Sequence, residues 1–327
     1  MRYVILAAVL ALAASNGLAA SNKPVPWRTA TPADSLAKPN VVSETWDLRA
    51  VSPDGTRGIV VRFWTKGNPW YIEWVWYTRG RGVPGTTVPV KPALHTGPGV
   101  SMKEPHGSGS IRRVGQRWLL DASGGSLNKS RTQLVLRSTR PGITMGPLPA
   151  SGRRAAWLSV VATGLVDGVV VTPDGTMRLR GWYGAHVHEW ATYEHYETSA
   201  FVRRDLALLW RSPTDVRVVW GLEPFLTQNQ RLTPDDSSWR GISARLGARH
   251  SACAATVRRG GLKQGALTYA QPTTTLTARC GSGAALALRH PDGKIGGSSW
   301  VFGQTFTGLA TSNVGGVGFL EQTIPDA

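Results

Sequence analysis

At 327 residues, 41% of them hydrophobic, the chain can bury one large β domain or two ordinary ones, and two is the expected number. Its 37 Lys and Arg against 20 Asp and Glu give a formal charge of +17, but no basic run exceeds a pair such as Arg112-Arg113 or Arg203-Arg204. Scattered charge excludes the clustered groove that a nucleic acid needs, while a weak attraction to an anionic membrane or envelope surface is compatible with it.

Residues 1–20 have the layout of a secretory signal peptide: Arg2, the apolar run Tyr3–Ala14, then small residues to Ala20. The run is too short to span a bilayer, so a secreted or periplasmic protein is expected. Residues 21–40 are rich in Pro, Ser and Ala without periodicity and read as an extended lead-in. From Val41, Glu44, Trp46 and Leu48 alternate with Thr45, Asp47 and Arg49. The turn Ser52–Thr56 (Ser-Pro-Asp-Gly-Thr) then reverses the chain into Gly58–Trp64, a hairpin. Trp70–Tyr77 follows, with Trp70, Ile72, Trp74 and Trp76 on one face and Tyr71, Glu73, Val75 and Tyr77 on the other. Two readings are open for it: a strand covered on both sides, or an aromatic wall for a large apolar ligand. Residues 79–110 read as a long loop region over a cavity mouth. Short strands follow near Ile111–Arg113, Trp118–Asp121 and Thr132–Leu136, and Pro141–Arg154 is the best domain border. The N-terminal β domain is placed at 41–146 and the C-terminal one at 147–327.

In the second half, Thr172–Thr176 repeats the Pro-Asp-Gly turn. It lies 120 positions after Ser52–Thr56, which suggests a duplicated unit of domain size. If the strand after it runs through Glu189, then Trp182, Gly184, His186, His188 and Trp190 share one face. Tyr183, Ala185, Val187 and Glu189 share the other, and Gly181 and Gly184 mark a bulge or a close backbone approach. Further short strands continue to Gly316–Gln322 with no long amphipathic helix, which argues for β-barrels or sandwiches. The two cysteines, Cys253 and Cys280, are expected to form a disulfide in an exported chain, between neighbouring strands Ala252–Arg258 and Thr273–Arg279.

His186 and His188 suit general acid–base work, with Glu189 as a nearby partner; the other reading is a buried hydrogen-bonding role that fixes the Trp182–Trp190 region. Glu194 follows the histidines at the wrong interval for a cupin-type site, so no metal is expected. Without a Gly-x-Ser-x-Gly elbow, phosphate loop or dinucleotide fingerprint, no cofactor is expected either. Trp46, Trp64, Trp74, Trp182, Tyr183 and Trp190 are the candidate ligand contacts.

The order of these motifs resembles the AttH-like and carotenoid 1,2-hydratase superfamily. The matching stretches are Glu44–Arg62, Gly109–Leu120 with Leu134–Gly142, Val166–Trp190 and Gly316–Thr323. The resemblance reaches from about residue 40 to the C-terminus. The family's central pattern appears as Tyr183-Gly184-Ala185-His186-Val187-His188-Glu189-Trp190-Ala191, with both histidines and the tryptophan matched. Val187 stands where the hydratases carry a proton-donating aspartate, and Ala191 where they carry glycine. The resemblance implies an all-β fold of two consecutive lipocalin-like antiparallel β-barrel domains. It also implies an apolar small-molecule ligand such as an isoprenoid, polyene or polyketide. Chemistry would be cofactor-independent, of isomerase, cyclase or lyase type, through His186 and His188 with Glu189. The alternative is a carrier that has lost the chemistry, to which Val187 points.

Overall fold

The computed structural model describes residues 24–66, 70–78, 81–83, 87–93, 97–124, 130–149, 155–172, 175–192, 196–197, 200–201, 204–222, 226–227, 238–260, 275–289, 296–300 and 303–324. The expected signal peptide and residues 193–195 lie outside them. The first barrel is built from β1 (Trp27–Thr29), β2 (Ser43–Val51), β3 (Arg57–Lys66), β4 (Trp70–Thr78), β5 (Arg81–Val83), β6 (Thr87–Val90), β7 (Gly99–Glu104), β8 (Gly107–Val114), β9 (Arg117–Gly124), β10 (Ser130–Pro149), β11 (Ala155–Thr172) and β12 (Gly175–Ala191). Its antiparallel order is β5-β4-β3-β2-β12-β11-β10-β9-β8-β7, with β6 added to β4 and β1 to β10. A bridge from Pro92 to Met102 brings the two ends together, so the sheet curls almost shut.

The chain goes on through β13 (Tyr196–Glu197), β14 (Ala200–Phe201), β15 (Arg204–Ser212), β16 (Asp215–Leu222), β17 (Leu226–Thr227), β18 (Ser238–Leu246), β19 (Ser251–Gly260), β20 (Thr275–Cys280), β21 (Leu286–Arg289), β22 (Gly296–Trp300), β23 (Gly303–Ser312) and β24 (Val317–Ile324). β13, β14 and β17 form a small separate sheet. The pairing of β21 with β23 closes the series β21-β20-β19-β18-β16-β15-β24-β23 into a second antiparallel barrel. The expected fold of two consecutive lipocalin-like barrels is what forms.

Side-chain alternation explains why both barrels hold. Trp46 and Leu48 of β2, Val61 and Phe63 of β3, and Ile72 and Trp74 of β4 point into the first barrel. The opposite faces of the same strands put Val51, Val60, Val75 and Tyr77 against Leu206, Leu208, Trp210 and Phe319 of the second. The aromatic strand Trp70–Tyr77 is therefore covered on both sides, once by its own interior and once by the neighbouring barrel. Each such aromatic removes enough apolar surface from water to stabilise by about 2–3 kcal/mol.

Three expectations need correction. The border between residues 146 and 147 falls inside β10, and the first barrel takes everything to Ala191, because β11 pairs with β10 and β12 with β2. Prolines misled here: Pro141 lies beside one β10 bulge (Ser138/Arg140) and Pro147 within the other (Met145/Leu148), where a missing N–H costs little. Both Pro-Asp-Gly hairpins belong to this barrel, so their spacing does not mark a duplicated barrel. Residues 79–110, read as a loop, contribute β5, β6, β7 and the start of β8 among the described residues. The cysteines meet as expected: β19 and β20 are neighbours and Cys253 is bonded to Cys280, Cα to Cα 5.8 Å.

Candidate functional site

β12 carries the histidines. It bulges at Gly181, whose φ of +62° suits glycine and whose N–H donates to the Asp167 carboxylate at 2.8 Å. Beyond the bulge strict alternation resumes. A Cβ at Gly184 would stand 2.7 Å from the Arg49 carbonyl and 2.3 Å from Val166 Cγ2, so only glycine lets β2 and β11 close on this strand. Trp182, His186, His188 and Trp190 accordingly face inward, and Tyr183, Ala185, Val187 and Glu189 outward, which is the expected division.

Both imidazoles are fully buried. His186 Nδ1 lies 2.9 Å from the Asp47 carbonyl and Nε2 2.7 Å from Ser35 Oγ. A carbonyl only accepts, so Nδ1 carries the proton, Nε2 is the free base, and the Ser35 hydroxyl donates to it. Burial drives the His186 pKa down to about 4, outweighing the bond to Asp47. His188 Nδ1 is 2.5 Å from the Asp34 carbonyl and Nε2 2.9 Å from Glu44 Oε1, which also accepts the Lys38 N–H at 2.8 Å. Both nitrogens of His188 thus face acceptor oxygens, a backbone carbonyl and a carboxylate. Trp46 stacks on the ring at 4.7 Å and Trp190 meets it at a tilt at 4.8 Å, while Trp118 covers His186 at 4.4 Å.

Ser35 and Asp34 come from the stretch read as an extended lead-in. That segment is instead an ordered strap: β1 pairs with β10, and Pro32–Ser35 form a 3-10 turn. The Asp34 carboxylate accepts the Thr31 N–H at 2.7 Å and pairs with Arg28. Burial would raise the Asp34 pKa, but Arg28 and Thr31 together hold it at about 2. Ser35 also gives its carbonyl to Trp46 Nε1 at 3.0 Å, so the strap is stitched into the barrel over the histidines. The signal was present in Thr31-Pro32-Ala33-Asp34, a capping-box spacing with proline in its first turn.

Beside the strap lies a cavity of about 310 Å³, at the small end of the range for ligand pockets. Its buried wall is Trp118, Val161 and Ala162; Pro32 of the strap closes one side. Arg113, Gln116, Thr139 and Arg140 line the solvent side. The β10 bulge at Ser138/Arg140 and the β11 bulge at Val160/Ala162 both open here, and bulges re-aim side chains in this way. The candidate ligand contacts do not form one wall. Trp46, Trp74 and Trp182 pack in the interior, Trp190 lies tilted against His188, Trp64 stacks on Tyr71 at 4.4 Å on the outer face of β3, and Tyr183 packs between the barrels. Trp118, read only as part of a strand, is the aromatic that meets the cavity.

Glu189 is separated from the histidines by the thickness of the sheet. It pairs with Arg204 and accepts Trp220 Nε1 at 3.3 Å, in a buried cluster between the barrels. There Arg49, Arg62 and Arg204 face Asp47, Glu73, Glu189 and Glu321. Glu321 of β24 is the hub, bonded to Arg62 and Arg204 and 3.2 Å from Arg49. Burial alone would raise its pKa, but the three arginines hold it well below the usual carboxylate range.

No protein-family model matches the chain, and no curated protein matches it by sequence. Solved structures do match by shape. CghA, in its complex with Sch210972, aligns over 92% of this chain and 98% of its own at 12% identity and a TM-score of 0.58. An AttH assigned in Nitrosomonas europaea aligns over 89% and 95% at 12% identity and 0.58. Kievitone hydratase from Nectria haematococca aligns over 92% and 97% at 8% identity and 0.56. At such identities the likeness is one of fold, and that fold is the AttH-like pair of lipocalin barrels expected from the motifs.

Proposed function

We propose that the protein is an exported carrier that holds an apolar small molecule in the cavity beside the strap. The observation that carries this reading is a ligand-sized cavity set against Trp118, next to a histidine pair whose four ring nitrogens are all engaged by the protein itself. With no ring nitrogen turned to the cavity, the pair serves to tie the strap to the barrel. Neighbouring folds include one solved with a small molecule bound. Export is supported by the signal-like residues 1–20 and by the disulfide. The +17 charge suits collection of cargo at an anionic envelope surface.

A second reading rests on one geometry: His186 offers an unprotonated Nε2 to the Ser35 hydroxyl, a base and a hydroxyl beneath Trp118. Displacement of Ser35 by a ligand would expose that base for isomerase, cyclase or lyase chemistry without a cofactor. Mass spectrometry of the organic extract after long incubation with the recovered ligand separates the two readings. The carrier returns its ligand unchanged; conversion by the wild type but not by His186→Gln would replace the carrier with the enzyme.

A further inference from the structure

Of the arginines in ion pairs, Arg28 meets Asp34, Arg137 meets Asp167, Arg245 meets Asp215, and Arg204 meets Glu189 and Glu321. The two arginines of the cavity differ. Among the described residues neither Arg113 nor Arg140 pairs with a carboxylate, and none of the residues lining the cavity is acidic. Arg140 is positioned from the second barrel, its Nη1 donating to the Gly247 carbonyl at 3.3 Å, while its Nε is buried with no partner. Its charge is felt by His250, whose pKa is lowered by burial first and by Arg140 second, so this neighbour adds no anion. The hydroxyls at the site are committed: Ser138 donates to the Arg140 carbonyl at 3.0 Å, and Thr139 bonds the Pro213 carbonyl at 3.0 Å. The donors left for a ligand are therefore the Arg113 guanidinium, the Nη2 end of Arg140 and the Gln116 amide, in a cavity that also has the apolar lining of Trp118, Val161 and Pro32.

We propose that the cavity binds a carboxylic acid with a medium-length apolar body, its carboxylate held by Arg113 and Arg140 and its body laid on Trp118. This rests on the cavity being the ligand site. A guanidinium is a planar fork that matches a carboxylate, and a charge-assisted bond of this kind is about twice as strong as a neutral one. The bulges at Ser138/Arg140 and Val160/Ala162 then act together, one setting the cation and the other opening the wall. The acid group, more than the shape of the apolar body, selects the ligand.

Titration calorimetry of the disulfide-intact chain with decanoate and with decanol tests this. The expected result is binding of both, decanoate tighter by about tenfold, the scale of one charge-assisted hydrogen bond. Arg113→Gln, at an exposed position, should remove most of that preference by weakening decanoate far more than decanol; Arg140→Gln should narrow the preference in the same direction. Arg112→Gln, at the exposed neighbouring position outside the cavity lining, should keep the preference. Equal affinities in the wild type, a preference that survives Arg113→Gln, or an equal loss in Arg112→Gln would overturn the acid site. Failure of both ligands to bind would overturn the cavity reading, and this inference with it.

Discussion

His186 couples stability to pH through its depressed pKa. The unfolded ring takes a proton near pH 6.5 and the folded one only near 4, so between these values the unfolded state binds more protons. The contribution is fully present above pH 6.5 and is lost as pH falls toward 4, a total on the order of 3 kcal/mol. Denaturant titrations at pH 7 and pH 4.5 should show the wild type losing more stability than His186→Gln over that window. Asp34 acts lower: its folded pKa of about 2 lies below the unfolded value, so its stabilisation is present above about pH 4 and is lost as pH falls toward 2. Ser35→Ala leaves His186 Nε2 buried without a donor and should cost about 1–3 kcal/mol by urea unfolding. That His186 and His188 share one face of β12 was legible from alternation; that this face is the inner one was not. Nor were their partners: Ser35 stands 151 positions from His186, and no local pattern links them.

The strap and the long strands show what punctuation residues conceal. β10 and β11 run for 20 and 18 residues, yet Pro141, Pro147, Gly164 and Gly168 break their patterns into short pieces. The bulges absorb those residues without ending the pairing, and the same bulges open the cavity. In the strap, proline content hid a capped turn. Asp34→Ala removes its acceptor for Thr31 and Arg28 and should cost about 1–2 kcal/mol. Removal of residues 24–36 should do more, exposing Trp46 and both histidines; a red-shifted tryptophan emission and loss of ligand binding are the expected readings.

The two barrels are joined by an apolar contact surface that encloses a buried charged cluster. Glu321→Gln leaves three buried arginines short of an anion and should cost about 3–5 kcal/mol in urea, while the wild type unfolds in one transition. The number and class of the barrels were legible from many short strands and from the order of motifs. The border was not, because Pro141 and Pro147 read as punctuation while the bulges of β10 absorb both without ending its pairing with β11. Covering by the second barrel turns Glu189 and Val187 toward the barrel interface and leaves His186 and His188 within, bonded to the strap. Nitrogen-15 NMR of the two imidazoles, with and without bound ligand, tests this role directly. His186 is expected to keep its proton on Nδ1 and to stay neutral from pH 8 down to pH 5, unchanged by ligand. A His186 ring that titrates near 6.5, or that changes protonation when ligand binds, would contradict the structural role and with it the carrier.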